Sequence, residues 1–155
     1  MPQISKGGKF IFGISHIRED MSMRVPAQAA TEYHLAENEH IILIGGSKTT
    51  GGFCVTTLPL LAPSKLGHML SECPELRDRA LPEGELVRYK GRSYTWLGIE
   101  AGGVVQFTAK LLSELDLHVG SELVAIRSSD IAFTMGAKGP LWERVRLFKG
   151  EIARY

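Results

Sequence analysis

The sequence predicts a mainly β fold with short helices, laid out as two tandem copies that complete one shared core around a helical insert. Three observations lead there. A shift of 82 positions lays residues 24–47 over 106–129, with identities at Ala27/Ala109, Glu32/Glu114, Leu35/Leu117, Ile44/Ile126 and Ser47/Ser129. Each copy carries an unbroken apolar run, Ile41-Ile42-Leu43-Ile44 and Leu123-Val124-Ala125-Ile126, which suits a strand buried on both faces. A unit of about 45 residues buries too little apolar surface to be stable alone, so the copies must share a core, within the chain or across a dimer.

The elements follow in order. A leading strand is expected over 10–15 and again over 93–97, with its register open by one residue. Short strands over 21–25 and 104–107 then run into helix starts, at Pro26 in one copy and Thr108 in the other. Proline presets φ and lacks the N–H that a first turn orphans, whereas threonine offers a capping oxygen. About two helical turns follow, with Ala29, Ala30 and Tyr33 inward in the first copy and Leu111, Leu112 and Leu115 in the second.

After each helix the alignment matches Asn38 with Gly120, the residue types that accept positive φ most readily, so a left-handed bend is expected at both. The apolar strands come next, then turns beginning at Ser47 and Ser129, then returning strands over 53–57 and 131–135. The domain plan is a first repeat at 1–61, an insert at 62–86 with a helix over 64–72, a second repeat at 87–139 and a tail at 140–155. In the tail, Leu141, Val145, Phe148 and Ile152 share a helical face. Val145 and Leu147 alternate as in a strand, and Gly150 opposes a long helix. Helix is the reading taken.

Composition narrows the function classes. Eighteen Lys+Arg against seventeen Asp+Glu leave a net charge of +1, and 44% of residues are hydrophobic. That excludes a disordered polyelectrolyte and a uniformly basic chain, so any nucleic-acid binding rests on local patches. No apolar run reaches membrane-spanning length and no signal-peptide core opens the sequence, so no membrane partner and a cytoplasmic location are expected. Cys54 and Cys73 show no CxxC spacing and read as reduced thiols.

The strand entering Val104-Val105-Gln106-Phe107-Thr108-Ala109, the two-turn helix, Leu117-His118-Val119-Gly120-Ser121-Glu122-Leu123 and the buried Leu-Val-Ala-Ile strand resemble the AbrB/SpoVT swapped-hairpin superfamily. Two copies with a helical insert are similar to the MraZ arrangement within it. The resemblance implies tandem swapped-hairpin β-barrel repeats, a homo-oligomer, and a DNA-binding transcription regulator that is not an enzyme and needs no cofactor.

Family DNA-binders carry an arginine four residues before the proline and more in the short helix. Here those positions hold Ser22 and Val104, then Ala30, Thr31, Leu112 and Ser113. The D-x-x-x-R pattern is present as Asp20…Arg24, displaced by two residues, and the second copy has Gly102…Gln106. Strand alternation sets Arg24 on the face of Ser22.

Candidate contacts to double-stranded DNA are Lys6, Lys9, Arg18 and Arg24, then Lys90 and Arg92 near the second leading strand. Residues 1–18 and 138–155 each carry a local charge of +3, and self-association would double each patch. Gly45 to Gly52 follows a buried strand but misses the G-x-x-x-x-G-K-[ST] spacing, and a β-prone Phe53-Cys54-Val55 follows it. It reads as a hairpin turn presenting Lys48, a further candidate contact. His16, His34, His40, His68 and His118 share no ligand spacing, so no metal is expected. Trp96 and Trp142 read as core or interface anchors. The rival reading is a non-catalytic binding or oligomerisation module on the same barrel that does not bind DNA, favoured by the missing arginines and the near-neutral charge.

Overall fold

A computed structural model describes residues 3–4, 10–46, 48–64, 67–78, 80–147 and 152–155. The elements are β1 (Gln3–Ile4), β2 (Phe10–His16), β3 (Ser22–Arg24), α1 (Ala27–Glu32), a 3-10 turn (Leu35–Glu37), β4 (His40–Gly45) and β5 (Phe53–Thr56). Next come α2 (Leu58–Leu61), then α3 (His68–Glu72) and α4 (Pro74–Arg77) within the insert, and β6 (Val87–Tyr89) just after it. The second half is β7 (Arg92–Glu100), β8 (Val104–Gln106), α5 (Ala109–Glu114), β9 (Glu122–Arg127), β10 (Phe133–Gly136) and α6 (Pro140–Leu147).

The strands form one antiparallel sheet in the order β1-β2-β9-β10-β5-β4-β7-β8-β3, with β6 added on β7. Near its two ends, the Arg18 N–H donates to Ser22 O (2.9 Å) and Ser15 Oγ to Arg24 O (2.6 Å). The sheet therefore curls into a nearly closed barrel. Each leading strand pairs with the long apolar strand of the other half: β2 with β9 (Ile14↔Val124) and β7 with β4 (Trp96↔Ile42). The 82-residue offset carries one pair onto the other.

Period-two alternation explains why 41–44 and 123–126 are apolar throughout. Ile41, Leu43, Leu123 and Ala125 point into one core with Phe12, Phe53, Phe107 and Phe133. Ile42 and Ile44 face outward, under Leu61, Met69, Leu70 and Leu76 of α2, α3 and α4. Val124 and Ile126 face outward with Ile11 and Ile14, under Trp142 and Val145 of α6. Each long strand thus lies between the barrel interior and its own helical cover, and the core is completed within a single chain.

Several expectations need correction. Asn38 is extended at φ −120°, whereas Gly120 is left-handed at φ 92°. The bend required twice lies four residues earlier, at His34 (φ 56°) and Asp116 (φ 59°), immediately after each helix C-cap. After α5 the bonds Asp116 N→Ser113 O (3.1 Å) and Leu117 N→Leu112 O (2.8 Å) close a Schellman motif over two buried leucines.

The insert has α4 besides the expected helix, which is described only from His68, and α2 forms just ahead of it; residues 65–66 lie outside the described residues. Leading strands run further than expected, to His16 and Glu100, while β10 starts at Phe133 rather than 131. In the tail the expected helix is described over Pro140–Leu147; Phe148 lies outside the described residues, and Ile14 pairs in parallel with Arg154. No helix among the described residues is long and apolar enough to cross a membrane.

Candidate functional site

The Gly-rich segment after β4 folds into a tight turn because backbone meets backbone there. Gly46 N–H donates to Gly52 O (3.0 Å), and Thr50 O accepts from Ala137 N (2.8 Å) and Lys138 N (3.0 Å). A Cβ on Gly52, at φ 61°, would lie 2.0 Å from Met135 O. The glycines are therefore explained by close packing against the end of β10, and Lys138 lies along Gly51, its Cε and Cγ 3.5 Å from where a Cβ would stand. The reading of 45–52 as a hairpin turn holds.

Two other elements approach this turn. The β6–β7 hairpin closes through Lys90 (φ 48°) and Gly91 (φ 81°) between the paired Tyr89 and Arg92, a two-residue loop with both central residues at positive φ. The C-terminal end of α5 contributes Glu114, Leu115 and Asp116. Together they enclose a cleft of about 570 Å³ lined by Lys48, Arg88, Arg92 and Lys138 with Glu114 and Asp116. All six side chains are exposed. Among the described residues none of these four cations makes an ion pair, although Arg77, Lys110, Arg127, Arg146 and Arg154 do.

The position equivalent by the 82-residue offset is built differently. Arg127 stands where Gly45 does and Glu32 where Glu114 does, and these two form an ion pair. Tyr33 replaces Leu115 and donates its hydroxyl to Ser129 O (2.6 Å). Arg127 and Glu32 pair there, whereas Lys48, Arg88, Arg92 and Lys138 have no carboxylate partner among the described residues.

The residues singled out from sequence are only partly brought together. Lys48 and Arg92 line the cleft, with Lys90 at the neighbouring turn over the Tyr89 ring (5.4 Å). Arg18 lines a separate depression with His16, Asp20 and Val119. Arg24 is exposed, but its Nε donates to Gly102 O (3.0 Å) and its guanidinium lies 5.9 Å from the centre of the Tyr155 ring. Asp20 of the D-x-x-x-R pattern accepts from the Ser22 hydroxyl (2.6 Å) and N–H (3.0 Å), which hold its carboxyl below the usual range. It shapes the β2–β3 turn. Lys6 and Lys9 lie outside the described residues.

Arg88 and Lys138 were not singled out, although Lys138 opens the basic 138–155 stretch. The histidines are dispersed: His16 against Tyr155 O (2.9 Å), His34 against Glu37, His118 against Ser121. Cys54 and Cys73 are free thiols, and burial pushes the Cys73 thiol up. Trp142 is buried and donates to Gly136 O (2.7 Å), while Trp96 is half-buried and donates to Leu81 O (2.7 Å). No protein-family model matches the chain, and no curated protein matches it.

Proposed function

We propose that this chain is a DNA-binding transcription regulator of AbrB/SpoVT type, a cytoplasmic, non-catalytic, self-associating protein built as paired swapped-hairpin repeats. The observation that carries the reading is the crossed strand pairing: β2 with β9 and β7 with β4, around one core. The superfamily resemblance implies an interleaved barrel of paired copies whose hairpins swap, and strands that cross between the halves support that reading. Lys48, Arg88, Arg92 and Lys138, which have no ion-pair partner among the described residues, support phosphate contact, with Lys90 beside them. Self-association would set two such clefts along one duplex, and phosphate contacts of this kind give affinity without sequence choice.

Titration of the chain onto a labelled duplex at about 50 and about 200 mM salt tests the reading. Binding is expected to weaken linearly in log–log form, and Lys48→Ala or Arg92→Ala to lower the slope by about 0.9 per lost phosphate contact. Absence of binding at low salt overturns it in favour of a binding or assembly module on the same barrel. That alternative has its own observation: Arg24 is already engaged by Gly102 O and the Tyr155 ring.

A further inference from the structure

We propose that the cleft between the β4–β5 turn, the β6–β7 hairpin and the end of α5 binds a small phosphorylated sugar, free or within a nucleotide. Its phosphate would be held by Lys48, Arg88, Arg92 and Lys138, and its hydroxyls by Glu114 and Asp116. The inference goes beyond the regulator reading and does not require it.

The cleft is open to solvent and, at about 570 Å³, has room for a ligand of this size, as other depressions on the surface do; what lines it makes the choice.

The composition of the walls narrows the ligand. Arginine offers a planar fork matched to phosphate oxygens, and lysine adds a point charge. Two of each line this cleft without carboxylate partners among the described residues. A bare inorganic anion would gain from the cations but would also meet Glu114 and Asp116. An ionised carboxylate only accepts hydrogen bonds, so those two side chains fit a ligand that also brings donors. A phosphate ester carrying several hydroxyls satisfies both sets. The glycines of the turn, among them Gly45, Gly46 and Gly51, add no side chains to the cleft.

Calorimetric titration of the full chain at fixed ionic strength, with ribose 5-phosphate, inorganic phosphate and ribose as separate probes, decides it. Ribose 5-phosphate is expected to bind at one site per chain, about tenfold or more tighter than inorganic phosphate, with ribose alone silent. Arg92→Ala with Lys138→Ala should weaken it about tenfold or more. Glu114→Gln with Asp116→Asn should bring it down to the level of inorganic phosphate. These side chains are exposed, so an unchanged thermal melt is expected to show that the fold survives. No binding of ribose 5-phosphate at millimolar concentration, affinity equal to that of inorganic phosphate, or binding indifferent to either pair of substitutions overturns the proposal. Duplex titration is a separate readout, so the two readings fail separately.

Discussion

Tyr33 sits in the barrel interior with its ring 5.1 Å from Phe133 and edge-on to Phe12 at 6.2 Å, and its hydroxyl bonds to Ser129 O (2.6 Å). Tyr33→Phe keeps the ring and loses the bond, for an expected destabilisation of about 1 kcal/mol by denaturant titration. Burial, with Asp130 adding to it, pushes the Tyr33 phenol from 10.0 up to about 12. The folded protein therefore holds that proton while the unfolded chain releases it, and stability is full below pH 10 and falls between pH 10 and about 12. Denaturation midpoints across that window should fall less steeply in Tyr33→Phe. Tyr89, bonded to Glu72, shifts the same way, so part of the slope remains. Asp116→Gly should stabilise by up to about 1 kcal/mol in the same assay, because glycine takes the left-handed φ of 59° more freely than aspartate, which only tolerates it. The residue types hid this bend. Histidine and aspartate do not announce a left-handed position as Asn38 and Gly120 do, and only the helix C-terminus fixes where the bend must fall.

At the scale of elements, the β4–β5 turn and the tail are both decided by close approach. Gly52→Ala meets Met135 O and an unfavourable φ, and is expected to cost at least about 1–2 kcal/mol by thermal melt. Removal of 152–155 takes away Ala153 O and Tyr155 N, the partners of Ile14 N and O (both 2.8 Å). It should cost about 1–3 kcal/mol and raise hydrogen exchange at Ile14. Gly13 makes that docking feasible, since a Cβ there would stand 2.7 Å from the Tyr155 ring. The strands of both halves were readable from apolar runs and a constant offset. Helices α2 and α4 were not, though Pro59 and Pro74 stand in their first turns. At a helix start proline fills a position that needs no N–H, so it marks these helices only once their start is known.

For the whole molecule, the crossed pairing makes each half structurally incomplete. Fragments 1–86 and 87–155 should each be unfolded by circular dichroism and regain β signal on mixing; a fragment that folds alone would contradict the shared core. Phe133→Ala, at the centre of that core, should cost about 3–5 kcal/mol and leave a single unfolding transition. The core was legible because both long strands are apolar on two faces, which demands an interior and a cover. The cleft was legible only in part. Lys48, Lys90 and Arg92 stood near punctuated turns, but only the fold brings Arg88 and Lys138, fifty positions apart, to one place.

The pairing of Ile14 with Val124 also bears on how the chain is made. At roughly 5–20 residues per second, the amino-terminal strand emerges from the ribosome some 5–20 s before its partner is synthesised. For that interval its oily residues lack their native neighbour, so closure of the barrel has to wait until the second half has been made.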